Sequence, residues 1–115
     1  MTPTTFSMTC SRNDVVLLPI PFTDLTSRKV GPAVVVGRNG TDLFLVPISS
    51  VLSNTDIPLL EWSAAGLNVP SGIKAQLATI EEKLVLKIVG SITPVDQKSL
   101  NETTYLASAL NRTQA

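Results

Sequence analysis

The chain predicts an α+β domain, mainly β, folded around a curled antiparallel sheet. Three observations carry that prediction: short aliphatic and β-branched runs separated by turn formers, an Asn39-Gly40 pair between two such runs, and a well-signalled helix that comes last. Strands gathered first and helices late is the order of an α+β domain, not of a parallel βαβ repeat.

Arg12, Asn13 and Asp14 open the run Val15–Ile20, which reads as a buried strand. Residues 21–30 are rich in turn formers and charge and read as a loop carrying Arg28 and Lys29. Residues 32–36 predict a second strand. Asn39-Gly40 predicts a hairpin, because both residues tolerate positive φ, and residues 41–48 then form the returning antiparallel partner. Residues 56–59 fit a short edge strand that tolerates Pro58. Leu60 to Ala65, ending at Gly66, suits a short helix with a glycine C-cap. Residues 71–79 and 83–92 read as further strands.

The last helix has the clearest signals. Thr93 fits the N-cap, Pro94 the first helical position, and Asp96 the acidic first turn favoured by the helix dipole. Leu100, Thr103, Ala107 and Leu110 follow at helical spacing and offer one apolar face. The organisation is a flexible lead over 1–11, one domain over 12–111 and a tail over 112–115.

Composition narrows the chemistry. The chain has 115 residues, 43% hydrophobic and 16% charged, which suits one globular core. No apolar run is long enough to span a bilayer, and Met1 to Cys10 has neither basic residues nor an apolar stretch, so the expected location is cytoplasmic, without membrane association. The chain contains no histidine, which removes the Ser-His-Asp triad and most zinc sites. Cys10 is the sole cysteine and is expected in a frayed segment; with no histidine partner it is a poor nucleophile. The chain calls for no metal and no cofactor. Net charge is zero, so any nucleic-acid binding must come from a local patch.

Most isolated motifs have plain readings. Gly37 to Gly40 lacks the Gly-Lys-Ser/Thr ending of a phosphate loop. Glu81 and Glu82 read as a solvated turn, since neighbours on a strand point to opposite faces. Arg28 and Lys29, together with Ser49 and Ser50 at the end of the third strand, are polar places that the fold can bring to one end of the sheet.

The order of these features resembles the MazF/PemK family of toxins. Asp14 to Lys29, with Pro19-Ile20-Pro21-Phe22-Thr23-Asp24 inside it, is similar to the family opening Arg-Gly-Asp-Val followed by Pro-Phe-Pro-Phe-Thr-Asp, with Asn13 in place of the glycine. Gly31-Pro32-Ala33 and the valines after it match Arg-Pro-Ala-Leu-Val-Leu, and Val46-Pro47-Ile48-Ser49-Ser50 matches a strand ending in Ile-Ser-Ser. Asp56-Ile57-Pro58, the segment from Leu60 to Leu67, Pro70-Ser71, Ala78-Thr79-Ile80 and the stretch from Lys87 to Pro94 follow in the family order.

The resemblance implies an SH3-like small barrel of antiparallel strands with a short inserted helix and a C-terminal helix, as in CcdB and MazF. It implies a homodimer that cleaves single-stranded mRNA without metal, by 2′-hydroxyl attack. A MazE/PemI-like antitoxin is the implied partner, with DNA met only indirectly through that antitoxin. The family's catalytic arginine falls on Gly31 and its catalytic Thr or Ser on Ser49. Arg28, Lys29, Ser50, Lys74 and Gln76 fall on or beside the implied RNA groove, with Gln76 matching a glutamine that some members use.

Glycine at 31 bears on the chemistry. Attack by a ribose 2′-hydroxyl adds negative charge to the phosphate oxygens, and a guanidinium stabilises that charge bidentately. Removing such a group costs on the order of a hundred- to thousand-fold in rate. Pro32 pushes position 31 toward extended backbone, so nothing there demands glycine for a positive φ. The expectation is therefore a toxin with the family fold and impaired cleavage. Its rivals are a non-catalytic protein that binds antitoxin or RNA, and a gyrase inhibitor of the CcdB type. The chain's end, Asn111 to Ala115, lacks the Trp-Gly-Ile signature of CcdB.

Overall fold

A computed structural model describes residues 9–19 and 30–103. Its strands are β1 (Asp14–Pro19), β2 (Val30–Asn39), β3 (Asp42–Ser49), β4 (Ile57–Pro58), β5 (Gly72–Ile73), β6 (Ala78–Glu81) and β7 (Lys87–Ser91), followed by α1 (Pro94–Asn101). They form one antiparallel sheet in the order β4-β5-β3-β2-β1-β7, with β6 also pairing β3. The α+β class, mainly β, is as expected. The barrel is not closed: among the described residues β7 pairs only with β1, and β4 only with β5. No helix among them is long and apolar enough to cross a membrane.

The three central strands are apolar on both faces because both faces are covered. Val15, Val34, Val46 and Ile48 join Ile57, Leu59, Ile73, Ile92 and Leu100 in one cluster. Their strand neighbours Val16, Leu18, Ala33, Val35 and Leu45 join Cys10, Ile80 and Val85 in another. A sheet packed on two sides selects continuous runs such as Val15–Leu18 instead of apolar/polar alternation. Burial of each Val or Leu contributes about 1.5–3 kcal/mol, so these clusters hold the fold together. Val34 and Val36, two apart on the strand, share a cluster by alternation, and a bulge between Val35 and Gly37 shifts the register with β3.

Asn13 shows what stands before β1. Its φ is +77°, the left-handed region where glycine is strain-free and asparagine is tolerated. Its N–H donates to Val35 C=O at 2.7 Å and its own C=O accepts from Ile92 N–H at 2.9 Å. Position 13 therefore carries a backbone requirement that asparagine meets and glycine would meet without strain.

Several expectations need correction. Leu60 to Ala65 is a hydrogen-bonded turn and not a helix. Gly66, at φ +95°, closes it as a Schellman motif, with Leu67 N–H on Trp62 C=O and Gly66 N–H on Ser63 C=O, both at 3.1 Å. The segment is too short to hold a run of i→i−4 bonds before that cap, but the half-buried Trp62 packs on the core as its size suggests. The run over 71–79 is two strands, not one. Between them Gln76 N–H folds back onto Lys74 C=O at 2.8 Å, a three-residue turn that ends the ladder. The run over 83–92 begins as a 3₁₀ turn, Glu82–Leu84, and becomes a strand only at Lys87.

Glu82 is no solvated turn residue. Its carboxylate pairs with the Arg38 guanidinium and accepts Cys10 N–H at 2.7 Å, while Arg38 also donates to Cys10 C=O and Gly40 C=O at 2.9 Å. The bond to Arg38 holds the Glu82 carboxyl below the usual carboxylate range. Cys10, expected in a frayed lead, is buried here; burial, then the charge of Glu82, pushes its thiol up to about 11.

In α1 the Thr93 hydroxyl makes no capping bond and donates to the Glu61 carboxylate. Asp96 is fully buried, and its two oxygens accept Leu60 N–H and Glu61 N–H, each at 2.9 Å. Leu100 is buried as its spacing implied. Ala107 and Leu110 lie outside the described residues, as do Ile20 and the loop bearing Arg28 and Lys29.

Candidate functional site

The β2–β3 ladder determines which residues meet. Ala33 pairs with Pro47, Val34 with Val46 and Val35 with Leu45. The β2–β3 pairing ends at Ala33–Pro47, and Gly31 and Ser49 each lie two residues beyond that last pair, Gly31 on β2 and Ser49 on β3 beside Gly72 of β5. On the other side of Gly31, β1 contributes Leu18.

The next strand widens the site. Ser49 pairs with Gly72 and Ile48 with Ile73, and Lys74 N–H donates to Pro47 C=O at 2.9 Å. Ile48 and Ile73 belong to the core cluster. Strand alternation therefore puts Gly31, Ala33, Pro47, Ser49, Gly72 and Lys74 on the other face. Ala33, Pro47 and Gly72 are buried there, Ala33 in the second core cluster, so Gly31, Ser49 and Lys74, all half-buried, edge the floor of the candidate site. Lys74, half-buried, stands diagonally across from Ser49 and makes no ion pair among the described residues. A diagonal neighbour on adjacent strands is about 7–8 Å away, within the reach of a lysine side chain.

Ser49 is half-buried, and its Oγ accepts Val51 N–H at 3.0 Å. That bond uses a lone pair and leaves the O–H able to donate. It also orders the chain as it leaves β3, where Ser50 is exposed. Thr55 closes the floor: a Cβ on Gly72 would lie 2.5 Å from Thr55 Oγ1, so glycine is the residue that fits at 72. Gln76 is exposed on the turn beyond Lys74.

Of the residues singled out in the sequence, Gly31, Ser49, Ser50, Lys74 and Gln76 thus gather at one end of the β2–β3–β5 sheet. Arg28 and Lys29 lie outside the described residues. The strongest ionic cluster, Arg38 with Glu82, is at the opposite end of the same ladder, beside the Asn39-Gly40 hairpin, and ties Cys10 to the sheet. Sequence reading named Asp56 only as the start of a short edge strand and of the Asp56-Ile57-Pro58 match, and missed that its carboxylate accepts Ala75 N–H at 2.8 Å.

The sheet order, the bulged β2–β3 hairpin and the closing helix together make the fold of the MazF-type toxin endoribonucleases. The chain superposes on the Mycobacterium tuberculosis toxin MazF-mt6 with a TM-score of 0.64 at 16% identity, covering 85% of this chain and 96% of that one. A mycobacterial endoribonuclease in complex with its cognate antitoxin gives a TM-score of 0.60 at 17% identity, over 87% of this chain and 91% of the other. A further mycobacterial endoribonuclease gives 0.60 at 18%, over 93% and 96%. No family model matches the sequence, and no curated protein matches it.

Proposed function

We propose that the chain is a toxin of the MazF/PemK type, a single domain over 12–111 acting in the cytoplasm on single-stranded mRNA. The reading is supported by a fold shared with toxin endoribonucleases, with Gly31 and Ser49 each two residues beyond the Ala33–Pro47 pair at one end of the β2–β3 ladder. In the proposed reaction a ribose 2′-oxygen attacks the adjacent phosphorus and gives up its proton, and the bond to the 5′-oxygen breaks. The 5′-oxygen takes a proton, and the products carry a 2′,3′-cyclic phosphate and a 5′-hydroxyl. Ser49 donates a hydrogen bond to the phosphate, Lys74, Arg28 and Lys29 contribute positive charge, and Ser50 and Gln76 contact the strand. No metal or cofactor enters. The protein is a homodimer whose RNA groove an antitoxin of the MazE/PemI type occupies.

Gly31 sets the rate. A backbone N–H at 31 donates one hydrogen bond but brings no charge, so cleavage falls on the order of a hundred- to thousand-fold below a site with arginine there. The decisive comparison is wild type against Gly31→Arg on a mixed-sequence single-stranded RNA, with end-group analysis of the fragments. The arginine variant is expected to release 2′,3′-cyclic phosphate and 5′-hydroxyl ends. If it leaves every RNA intact, the enzyme reading fails. The glycine itself favours a second reading, a protein that binds antitoxin or RNA without cutting, and that reading predicts binding without cleavage in both proteins.

A further inference from the structure

We infer that Asp56 is the positioning residue for the cation of this site, acting through Lys74; the inference rests on the reading of the cleft as an RNA site. Two bonds from Asp56 bracket Lys74. Its backbone N–H donates to Ile73 C=O at 2.9 Å, and its carboxylate Oδ2 accepts Ala75 N–H at 2.8 Å. Lys74 itself donates its N–H to Pro47 C=O at 2.9 Å and accepts Gln76 N–H on its C=O at 2.8 Å. Every backbone polar group at Lys74, and the facing group of each neighbour, is therefore held.

This arrangement is needed because β5 is only two residues long. Past Ile73 the chain leaves the ladder, and the Lys74–Gln76 turn has few bonds to the rest of the sheet. Without the Asp56 carboxylate, Ala75 N–H loses its acceptor and the turn is free to swing about the single bond to Pro47. A flexible lysine then samples many positions, and ordering it on a phosphate costs the side-chain and backbone freedom that Asp56 removes beforehand.

The charge on Asp56 is informative as well. A carboxylate bonded to the residue next to a phosphate-binding lysine repels the ligand, so electrostatics alone disfavours an acid at 56. A neutral acceptor would make the same bond to Ala75 without that repulsion. The role assigned here lies in the hydrogen bond and not in the charge, which separates two conservative variants.

The test uses the full chain and a labelled mixed-sequence single-stranded RNA, with affinity measured across a salt series for wild type, K74A, D56A and D56N. K74A is expected to bind about tenfold more weakly, the value of one charge-assisted hydrogen bond. It should also flatten the dependence of log affinity on log salt by roughly 0.7, one phosphate contact on a single strand. D56A is expected to follow K74A in both respects although it deletes a negative charge, while D56N keeps wild-type affinity or better and the wild-type slope. Wild-type affinity and slope in D56A, beside a weakened K74A, overturns the positioning role. So does a D56N protein that weakens like K74A, and this arm decides the matter even where D56A does not fold. Full RNA affinity in K74A overturns the RNA site itself, and the role of Asp56 with it.

Discussion

Replacing Asp96 by alanine removes the acceptor for two backbone N–H groups at once. The carboxylate is fully buried on α1 and receives Leu60 N–H and Glu61 N–H, each at 2.9 Å. Those donors open the turn that carries Trp62, Ala65 and Leu67 onto the core. Each donor left without a partner costs about 1–3 kcal/mol, so Asp96→Ala is expected to destabilise the chain by about 2–6 kcal/mol. Against a total stability of about 5–15 kcal/mol that is a large fraction.

Urea denaturation of the full chain, compared at equal slope, measures the loss. Asp96→Asn retains one acceptor oxygen and is expected to lose about half as much. The Thr93 hydroxyl also reaches the turn, through the Glu61 carboxylate, so Thr93→Val combined with Asp96→Ala should deviate from additivity. An alanine variant within about 0.5 kcal/mol of wild type, the usual range for surface changes, would refute the tie.

Three further outcomes follow from particular residues. Cys10 has its thiol raised from the ordinary 9.0 to about 11, so the folded state holds the proton more tightly. Its stability contribution is complete below pH 9 and is lost as pH climbs toward 11, by about 2–3 kcal/mol at 1.36 kcal/mol per unit. The decline should be absent in Cys10→Ala, and a thiol reagent at neutral pH should leave Cys10 unmodified in the folded chain. Asn13 holds φ +77° and has a buried Oδ1 without a partner, so Asn13→Gly is expected to raise stability by about 1 kcal/mol; a lower denaturation midpoint contradicts this account of the position. Gly66 has φ +95°, and a Cβ there would sit 2.4 Å from Val89 C=O, so Gly66→Ala should cost about 2–4 kcal/mol, read as a lower midpoint in the same assay.

The sequence made the strands legible where local chemistry and tertiary packing agree. Val15–Leu18, the Asn39-Gly40 hairpin and the start of α1 after Thr93 each combine a propensity with a position in the core. Legibility failed where a distant partner decides the local form. Glu82 turns because Arg38, across the sheet, holds its carboxylate. The run over 71–79 breaks because Asp56 captures Ala75 N–H and the chain crosses from one half of the β3 edge to the other. The turn at 60–66 is held by Asp96, which is 36 residues from Leu60. The candidate site was legible for a different reason. Gly31 and Ser49 were marked by resemblance alone, and both lie just beyond the last β2–β3 pair, Ala33 with Pro47. The resemblance marked Asp56-Ile57-Pro58 as a stretch but gave Asp56 no role, because its bond to Ala75 exists only once β5 stops.

Gly31 is where stability and chemistry can be separated. Glycine inside a strand costs roughly 0.5–1 kcal/mol relative to alanine, so on backbone grounds alone any β-competent side chain at 31 should help. The position is half-buried, pairs with Leu18 of β1 and lies two residues beyond the Ala33–Pro47 pair at the end of the β2–β3 ladder. Gly31→Arg is therefore expected to hold or slightly raise the denaturation midpoint while raising RNA cleavage on the order of a hundred- to thousand-fold. Both measurements are needed, because activity alone does not show why a glycine stands there. An arginine that unfolds the chain would mean that position 31 is kept small for packing. In that case the floor beside Ser49 was never shaped for a guanidinium, and the argument for an emptied catalytic position loses its physical basis.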